Sequence, residues 1–573
     1  MDWQDVEFQY QRPAGWGGAV VLHDVVVVGA GPVGLALAID LAQRLHTSGQ
    51  RVLLLDDDHR LSSGSRAICF AKRTLEIFDR LGVGQRLVDA GVSWSVGRVF
   101  FGDAPVYAFD LLPEPGHQRP AFINLQQYSV EGELVQRAQA LPNLELRWKH
   151  QVTDMRQLDE HVELVVDTPD GPYSLHTRYL SACDGSRSTL RALMGLESKG
   201  RVFQDRFLIA DVHVESELFD AGKSERWFWF DPPFHPGQSV LLHRQPAGVW
   251  RIDFQLGWQA DPEAEKQPAA IVPRVQALLR QGFGRDVPFT LVWASVYTFA
   301  CSRMARFRHG RVLFAGDAAH GVSPFGARGA NSGVQDADNL AWKLAAVLQG
   351  RAGAGAQTLL DSYAQEREFA ADENILNSTR ATDFITPKSE ISRLFRDAAL
   401  HLARQHPFAR RLVNSGRLSV PATLDGSALS TADTPADSAA PDFDSPLRPG
   451  APAADAPLLR RPGAPHGATG PDPRRGPESD PQPEPTWLLQ ELHACSADFT
   501  LLVFGPAPTW SSPVPVLAID GQQLTENGLA TQRYDARPGT AYLLRPDGHV
   551  AARWRHPTSA AVQAALQRAL GRA

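Results

Sequence analysis

The feature that most constrains the fold is a glycine-rich turn, GAGPVG at 29–34. The residue patterns on either side predict a strand at 24–28, a helix at about 33–45 and a second strand at 51–55, which together form a βαβ unit. Both strands are continuously apolar, as parallel strands are when helices cover both faces of their sheet. The turn therefore predicts an α/β fold that begins with a dinucleotide-binding site.

Each part of this turn suits the binding of a pyrophosphate group. Gly29 permits the tight bend, Gly31 lets the backbone approach the phosphates, and Gly34 lets the helix pack close to the strand. The helix begins near Pro32 and Val33, and its free N–H groups carry a partial positive charge that favours an anion. These residues are the first cofactor-binding candidates.

An acidic residue is expected at the end of the second strand, where it holds a ribose hydroxyl of the dinucleotide. Asp56 closes the apolar run RVLLLD, about 20 residues after the last glycine of the turn, as this kind of site requires. Asp57 and Asp58 follow directly and are alternatives.

Composition excludes several other classes of protein. The chain has 573 residues, 43% of them hydrophobic, and a net charge of -7, so it is expected to be a globular protein of several domains without affinity for nucleic acid. The four cysteines include no CxxC pair, which excludes the common zinc spacings and a dithiol redox centre, and no metal is expected. The N-terminus lacks the apolar core of a secretory signal, and glycine and proline interrupt the apolar stretch 25–42, so a cytoplasmic protein without membrane association is expected.

Changes in residue pattern divide the chain into successive parts. Residues 200–300 contain period-two runs such as FLIADVHV and VWRIDFQL, which predict a mostly antiparallel sheet. Thirteen prolines lie between Pro441 and Pro485 and indicate a linker or a loosely wrapped arm. The predicted parts are an N-terminal extension (1–22), a dinucleotide-binding domain in two pieces (23–198 and 303–385), a sheet domain (199–302), a helical segment (386–440), a proline-rich linker (441–485) and a C-terminal domain (486–573).

Four further segments carry chemical information. Glycine in the longest of them would allow the backbone to approach a ligand closely, and the N-terminus of the helix that follows would direct N–H groups towards negative charge on such a ligand. The segments are SRA at 65–67 with RTLE at 73–76, QYSVE at 127–131, CDGSRS at 183–188 followed by Arg191, and GDAAH at 316–320 with PFGARGANSGVQDADNLAWKL at 324–344.

With these segments the chain resembles the flavin-dependent aromatic hydroxylases, a family that includes p-hydroxybenzoate hydroxylase, 3-(3-hydroxyphenyl)propionate hydroxylase and phenol hydroxylase. The resemblance covers residues 24–385 well and the C-terminal part loosely. It implies a Rossmann-like FAD-binding domain, an inserted and mostly antiparallel β-sheet substrate domain, and a C-terminal thioredoxin-like domain. Because that last domain lacks CxxC, a structural role or a role in a homodimer is expected, and deletion of 486–573 is expected to spare FAD binding.

The resemblance assigns cofactor-binding roles to single residues. Arg66 would contact an FAD phosphate, which suits the planar guanidinium, and Gln127, or Gln126 as an alternative, would bond the cofactor. Asp184 matches a position associated with both FAD and NAD(P)H. Asp317 matches one that bonds the ribityl or ribose region.

The loop 324–333 would lie along the isoalloxazine ring. Its candidate cofactor contacts are Gly329, Ala330 and Asn331, and Pro324 and Arg328 are candidate catalytic residues. Ala327-Arg328 stands where Gly-Gln is more usual in the closer relatives, and it is similar to the Ala-Lys pair of p-hydroxybenzoate hydroxylase.

The implied activity is hydroxylation of a phenolic or other small aromatic substrate by a single-component monooxygenase. NADH or NADPH would reduce FAD, O2 would form a flavin C4a-hydroperoxide, and the distal oxygen would attack an electron-rich ring carbon. No second GxGxxG turn follows a later strand, which fits the family, because NAD(P)H has no Rossmann domain of its own there. NADH and NADPH both remain open as the electron donor.

The substrate pocket is expected between the flavin and the sheet of residues 200–300, where an aromatic lining with a few polar groups is required. The candidate substrate-binding residues are Trp229, His243, Trp250, Asp253 and Phe325. His243 is the candidate acceptor of the phenol proton, because the ordinary pKa of histidine lies near neutrality. A strand histidine with a structural hydrogen bond is the alternative.

Two other functions are compatible with these segments. One is a different flavoenzyme on the same scaffold, such as a halogenase or a dehydrogenase; the WFW run at 227–229 faintly resembles the halogenase Trp-x-Trp motif, but the following Asp-Pro-Pro departs from it. The other is a non-enzymatic FAD-binding protein whose proline-rich arm recruits partners.

Overall fold

The computed structural model describes residues 3–14, 16–64, 67–219, 224–414, 418, 420–433, 443–460, 483–525 and 527–572. Its strands are β1 (Leu22–Val28), β2 (Val52–Asp56), β3 (Cys69–Ala71), β4 (Val92–Trp94), β5 (Val96–Phe101), β6 (Ala104–Asp110), β7 (Phe122–Asn124), β8 (Leu144–Trp148), β9 (Gln151–Gln157), β10 (Val162–Asp167), β11 (Tyr173–Ala182), β12 (Ser198–Val214), β13 (Glu225–Phe230), β14 (Ser239–Arg244), β15 (Val249–Leu256), β16 (Phe289–Met304), β17 (Arg308–His309), β18 (Val312–Phe314), β19 (His320–Gly321), β20 (Pro457–Arg460), β21 (Glu484–Trp487), β22 (Thr500–Phe504), β23 (Val516–Ile519), β24 (Ala541–Leu544) and β25 (Val550–Trp554). Its α-helices are α1 (Pro32–Leu45), α2 (Lys72–Leu81), α3 (Gly84–Ala90), α4 (Gln127–Gln139), α5 (Thr189–Leu193), α6 (Pro262–Glu265), α7 (Pro268–Phe283), α8 (Gly329–Leu348), α9 (Ala356–Ile385), α10 (Glu390–Gln405), α11 (Pro407–Val413), α12 (Leu488–Cys495), α13 (Leu529–Arg533) and α14 (Ser559–Ala569).

The first sheet contains the predicted βαβ unit. Its order is β17-β18-β11-β1-β2-β8, with β9 and β10 attached beyond β11, and the pairings from β18 to β8 are parallel. The strands β1, β2 and β18 are largely apolar and share one core with α1 and α8, which pack against each other, whereas β11 also carries polar residues such as Thr177 and Arg178. The prediction of a parallel α/β unit at 24–55 is therefore confirmed.

The second sheet has the order β19-β16-β12-β15-β14-β13-β5-β6. The pairings among β12 to β16 are antiparallel, which confirms the prediction for residues 200–300, while β5 joins β13 in parallel. One face of this sheet packs on α7 through a large apolar cluster. The opposite face meets the loop before α8 and the small sheet β3-β7-β4.

The C-terminal part forms a third packing unit around the sheet β23-β22-β24-β25. The described part of the predicted linker is packed against this unit: β20 pairs with β21, and the side chains of Leu447, Ala453 and Leu458 are buried. Residues 443–460 are thus an ordered arm of the C-terminal unit and not a linker, while 461–482 lie outside the described residues.

The predicted extension at 1–22 packs on the first sheet where it is described. The ring of Phe8 stacks on Trp148 with 4.2 Å between centroids, and Trp3 lies against Gly132. Within the predicted helical segment 386–440, the structure has the helices α10 and α11, and α11 ends at Val413. None of the helices in the described ranges has the length and apolarity that a bilayer crossing requires.

Candidate functional site

The glycine-rich turn joins β1 to α1 in a conformation that two of its glycines require. Gly29 has a φ of +103°, and a Cβ there would lie 2.3 Å from the Cys183 carbonyl oxygen. A Cβ at Gly34 would lie 1.9 Å from the Gly29 oxygen. A Cβ at Gly31 would meet nothing within 4 Å, so Gly31 faces open space at the end of α1. The turn therefore forms a cradle with room beside Gly31.

The N-terminus of α1 is available to an anion. The helix begins at Pro32, its N-cap residue Gly31 provides no side-chain cap, and its first turn contains no acidic residue. Val33 projects from this first turn towards the second glycine-rich stretch of the chain. Uncapped N–H groups and the helix dipole together favour a phosphate at this end.

Asp56 ends β2 directly beside the cradle. Its Oδ2 accepts a hydrogen bond from the Ala30 N–H at 2.5 Å, and its Oδ1 accepts one from the Asp58 N–H at 2.8 Å. Burial raises the pKa of Asp56 to about 7, although these two backbone donors oppose the shift. Asp57 and Asp58 are exposed, so the structure favours Asp56 over the two alternatives for the ribose position.

The second glycine-rich stretch meets the first at Val33. A Cβ at Gly316 would lie 2.9 Å from Val33 Cγ2, and a Cβ at Gly333 would lie 2.5 Å from the same atom. Gly333 also approaches Gly316, with 3.1 Å between its hypothetical Cβ and the Gly316 Cα. Two segments about 300 residues apart in the sequence thus converge on one side chain of the cradle.

The loop before α8 and the start of that helix hold several candidates from the sequence. Asp317 and Pro324 are exposed, and Phe325 is buried against Phe207 with 4.9 Å between ring centroids. The buried Arg328 donates from Nη1 to Asn374 Oδ1 of α9 at 2.6 Å, so its guanidinium is held towards α9. The N-terminus of α8, which begins at Gly329, has no side-chain cap.

The side chain of Asn331 is engaged within the protein. Its Oδ1 accepts hydrogen bonds from the Ala71 N–H at 2.8 Å and the Thr74 hydroxyl at 2.6 Å. Its Nδ2 donates to the carbonyl oxygens of Cys69 at 2.8 Å and Ala327 at 2.5 Å. Asn331 therefore ties β3 and the preceding loop to α8, and only its backbone remains for a cofactor, as for Gly329 and Ala330.

A buried ionic network fixes the start of α8 on the first sheet. Asp336 accepts from the Gly316 N–H at 3.0 Å and from Arg367 Nε at 2.6 Å, and His320 Nε2 lies 2.7 Å from its Oδ2. Burial alone would raise the pKa of Asp336, but His320 and Arg367 hold it below its ordinary value. This network gives His320 a structural role.

The side chains of the two remaining cofactor candidates, Asp184 and Gln127, differ in how many of their polar atoms are hydrogen-bonded within the protein. Asp184 accepts from the Leu190 N–H at 3.0 Å with Oδ2, while its buried Oδ1 has no partner among the described residues. Gln127 accepts from the Ala67 N–H at 3.0 Å and donates to Glu131 Oε1 at 2.8 Å. Gln127 thus anchors the segment that contains Arg66, and Arg66 itself lies outside the described residues.

The period-two alternation of β14 and β15 separates the substrate-site candidates. Trp250 and Trp229 belong to the apolar cluster that packs under α7. Residues three positions apart on a strand point to opposite faces, so Asp253 is on the other face from Trp250. His243 and Phe325 lie on the side of Asp253, and we correct the expectation that the two tryptophans share a pocket with them.

His243 and Asp253 form a buried pair on this face. Their Nε2 and Oδ2 atoms are 3.1 Å apart, and Arg251 Nε donates to the other carboxylate oxygen at 2.9 Å. Burial lowers the pKa of His243 to about 4, and the neighbouring Arg226 guanidinium acts in the same direction. The near-neutral pKa expected from the sequence is therefore wrong, and His243 is a neutral imidazole at physiological pH.

The same contact leaves one nitrogen of His243 available. When Nε2–H donates to the Asp253 carboxylate, Nδ1 carries the lone pair, and Nδ1 is buried without a partner in the described part of the chain. Burial alone would raise the pKa of Asp253, but Arg251 and His243 hold it low, so the carboxylate stays charged and fixes this tautomer. The arrangement can accept a proton at Nδ1.

Sequence reasoning missed most of the polar residues on this face. Arg226, His243, Arg251 and Asp211 are cross-strand neighbours in one row over β13, β14, β15 and β12, and all four are buried. Alternation of polar and apolar residues in RIDFQL, at 251–256, was the signal that could have found Arg251, whereas ERWFWF at 225–230 does not alternate and gave no such signal for Arg226.

The residues of the cradle and the α8 loop fit a flavin dinucleotide. Four features lie around Val33, Gly316 and the end of β1. They are the open space at Gly31, the uncapped N-termini of α1 and α8, and Asp184 Oδ1, which has no partner among the described residues. The first helix end suits a pyrophosphate, and the second suits the negative charge of a reduced ring.

Comparison with known proteins adds independent findings. A sequence profile described as an FAD binding domain matches residues 23–378. The chain is 31% identical over 426 residues to a 3-(3-hydroxy-phenyl)propionate/3-hydroxycinnamic acid hydroxylase of Mycolicibacterium gilvum (strain PYR-GCK), a match that spans 72% of this chain and 69% of the relative. It is 32% identical over 349 residues to a para-nitrophenol 4-monooxygenase of Pseudomonas sp. (strain WBC-3), over 60% of this chain and 83% of the relative. A solved ternary complex of aklavinone-11 hydroxylase with FAD and aklavinone matches with a TM-score of 0.69 and 25% identity, covering 96% of this chain and 99% of that chain.

Proposed function

The chain belongs to the FAD-binding family of flavin-dependent aromatic monooxygenases, and we propose that it hydroxylates a phenolic or other small aromatic compound with NAD(P)H and O2. The observation that carries this proposal is the convergence of two remote glycine-rich stretches on Val33, with an uncapped helix N-terminus at each. Such an arrangement suits one flavin dinucleotide whose pyrophosphate meets α1 and whose ring meets α8.

We assign the cofactor contacts as follows. The cradle of Gly29, Gly31 and Gly34 would hold the pyrophosphate, and Asp56 would accept a hydrogen bond from a ribose hydroxyl. Asp184 and Asp317 would serve the remaining polar groups of the cofactor, and Arg66 would pair with a phosphate. Backbone N–H groups of Gly329, Ala330 and Asn331 would face the flavin ring at the α8 N-terminus.

When bound, FAD supplies the uptake of a hydride from NAD(P)H and the activation of O2, which no side chain can provide. The protein positions the aromatic ring and removes the phenol proton, because a phenolate is the more electron-rich reactant. His243 Nδ1 is the acceptor that we propose for that proton, with Asp253 orienting the imidazole. Phe207 on β12 and Phe299 on β16 each meet Phe325 edge to face, and the three rings would keep water out of the reaction space.

The finer architecture is also part of the proposal. The second sheet would be a substrate domain inserted into the FAD-binding domain, and the C-terminal unit would be a thioredoxin-like domain without a CxxC motif. Parallel pairing of β22 with β23 and antiparallel pairing of β22 with β24 and β24 with β25 support that last assignment. Without a thiol pair the domain would be structural or would serve a homodimer.

The test is a screen of the purified, FAD-loaded protein with phenols and hydroxybenzoates for stimulated oxidation of NADH and of NADPH. We expect one class of phenol to stimulate the oxidation and to yield a product heavier by one oxygen atom. A chlorinated product in the presence of chloride would instead indicate a halogenase, and oxidation without oxygen insertion would indicate a dehydrogenase. Placement of Trp227 and Trp229 in the core under α7 gives the halogenase alternative no support.

A further inference from the structure

Two histidines and a glutamate meet on one face of the first sheet, where β10 pairs with β11. Glu163 on β10 is directly opposite His176 on β11, and His161 lies two positions before Glu163, next to the start of β10. Side chains two positions apart along a strand, and side chains opposite each other on paired strands, share one face of a sheet. Val162 and Leu164 are buried in the core on the other face, so the three polar side chains project together away from the core.

The nitrogen and oxygen atoms of these side chains have nearly the spacing that a metal ion requires. Nε2 of His161 is 3.7 Å from Glu163 Oε1, and Nε2 of His176 is 3.6 Å from the same oxygen. One ligand atom from each residue lies within 4.8 Å of those of the other two. Zinc bonds of about 2.0–2.2 Å in a tetrahedron place neighbouring ligand atoms roughly 3.3–3.6 Å apart, so small movements of the side chains would be sufficient.

One nitrogen of this cluster lacks a hydrogen bond. Nε2 of His161 is buried and has no partner in the described part of the chain, although the side chain as a whole is 24% exposed. The rings of His161 and His176 stack with 4.4 Å between their centroids, so both imidazoles are already gathered beside the carboxylate. A buried polar atom without a partner is costly, and a metal ion bound to the nitrogen lone pair would remove that cost.

The surrounding strands hold the cluster in place. Glu163 Oε2 accepts a hydrogen bond from Arg156 Nε on β9 at 2.8 Å, which leaves Oε1 facing the imidazoles. The turn between β9 and β10 is closed by the Leu158 N–H, which donates to the His161 carbonyl oxygen at 2.8 Å. Because these contacts already order the side chains, a metal ion would bind with little additional loss of conformational freedom.

We propose that His161, Glu163 and His176 bind one divalent transition-metal ion, with Zn²⁺ as the representative of that class. Two imidazole nitrogens and one carboxylate oxygen suit Zn²⁺, whereas Mg²⁺ and Ca²⁺ prefer oxygen ligands alone. Three protein ligands leave one position of the tetrahedron open to water. The expectation that no metal binds rested on the spacing of the cysteines, which gives no information about histidines on paired strands.

The place of this site in the fold indicates a structural role. His176 lies near the start of β11, and the cofactor candidate Asp184 follows the end of the same strand, roughly 25 Å away in extended chain. A metal ion at His176 would therefore join the β9–β10 hairpin to β11 without reaching the flavin. Binding to the folded chain alone stabilises that chain, so Zn²⁺ should raise the Tm and leave the FAD content unchanged.

The experiment titrates ZnCl2 into the tag-free, full-length, FAD-loaded protein by calorimetry, with MgCl2 as the comparison, and follows the Tm by circular dichroism. We expect one Zn²⁺ per chain, much weaker binding of Mg²⁺, and a Tm that rises with Zn²⁺. His161→Ala, His176→Ala and Glu163→Gln should each weaken Zn²⁺ binding by at least roughly 10-fold, because even the loss of a residue that only orients a ligand has an effect of that size. The rise in Tm should be lost with it.

His59→Ala is the matched control. Nδ1 of His59 lies 3.4 Å from Asp58 Oδ1 at the surface, but these two side chains belong to no group of three ligands among the described residues. The control should bind Zn²⁺ as tightly as the wild type. Absence of saturable Zn²⁺ binding in the wild type would overturn the proposal. Wild-type affinity in either variant of His161 or His176, or an equal loss of affinity in His59→Ala, would also overturn it.

Discussion

Replacing Arg545 by Met should destabilise the protein more than the loss of any surface ion pair. Arg545 lies in the C-terminal unit, is fully buried, and donates to Glu366 Oε1 at 2.7 Å and Oε2 at 2.9 Å. It also donates to Asp547 Oδ1 at 3.0 Å. These contacts join the C-terminal unit to α9 directly beneath α8.

The charges in this cluster balance only when Arg545 is present. Lys343 on α8 binds Glu366 at 2.7 Å, while Trp342 Nε1 donates to Asp547 Oδ2 at 3.0 Å. Two cations thus face two carboxylates, and both carboxylates have pKa values that Arg545 holds low in spite of burial. Without Arg545 one negative charge remains buried and unpaired, which costs about 3–5 kcal/mol.

The assay is urea unfolding of the FAD-loaded protein, followed by flavin fluorescence and circular dichroism. Arg448→Met is the control, because the Arg448–Asp425 pair is about half exposed on both sides, 50% and 49%, and should contribute about 0–1 kcal/mol. In the double variant Arg545→Met, Glu366→Gln, one buried positive charge (Lys343) again faces one buried negative charge (Asp547). This variant should therefore be more stable than Arg545→Met alone. Equal effects of Arg545→Met and Arg448→Met would refute this reasoning.

Three other predictions follow from the geometry. Deletion of 486–573 should abolish FAD binding, contrary to the expectation from the sequence. The deletion removes Arg545 and Asp547, the partners of Glu366 and Lys343, and exposes Trp342. A truncated protein that still binds FAD would argue that these contacts beneath α8 are not needed for the cofactor site. His243→Ala should lower the hydroxylation rate roughly 10²–10⁴-fold while the FAD content stays the same. Because the pKa of His243 is about 4, the wild-type rate should show no inflection near pH 6.5 from this residue. Full activity in the variant would remove His243 from the mechanism. The pKa of Asp56 is about 7, and its carboxylate accepts a ribose hydroxyl better than its protonated form does, so FAD affinity should fall by up to about tenfold for each pH unit below 7. Asp56→Asn should abolish this pH dependence, whereas Asp57→Asn should keep it. Equal pH profiles of FAD affinity for both variants would show that Asp56 is not the ribose ligand.

The cofactor half of the site was predictable because its signals are local. A strand, a glycine turn and a helix follow one another within 22–45, and only glycine fits where Gly29 and Gly34 lie. Asn331 shows the limit of such motifs. Its position was predicted at the flavin loop, but its amide is occupied by β3 and the α8 loop, contacts that only the folded chain brings together.

The substrate half was predicted less well for two physical reasons. Nearness in sequence was taken for a shared pocket, although Trp250 and Asp253 are three positions apart on one strand and so face opposite sides. The pKa of His243 depends on burial and on Arg226, which a free histidine does not experience. Alternation along β15 would have separated its apolar face from the row that contains Arg251, whereas β13 (ERWFWF) has no such alternation that could reveal Arg226.

A similar limit applies to the C-terminal unit. Arg545 and its partner Glu366 are 179 residues apart in the sequence, and neither carries a motif. Composition predicted a linker or a loosely wrapped arm at 441–485 and could not decide between them, whereas the described residues 443–460 bury apolar side chains on the C-terminal sheet. Long-range packing of this kind leaves no periodic signal in the sequence.

The most direct test of the account is the FAD content of the purified wild type and of Gly31→Val. Gly31 has an extended backbone, φ −73° and ψ −177°, and open space around its missing side chain, so valine should fold normally but fill the place of the pyrophosphate. Gly257→Val, which also adds a side chain to open space, is the control. We predict a yellow wild type and a yellow control, each with one FAD per chain, and a folded but colourless Gly31→Val. A wild type that takes up no added FAD, or a Gly31→Val variant that binds FAD as well as the wild type, would contradict the account.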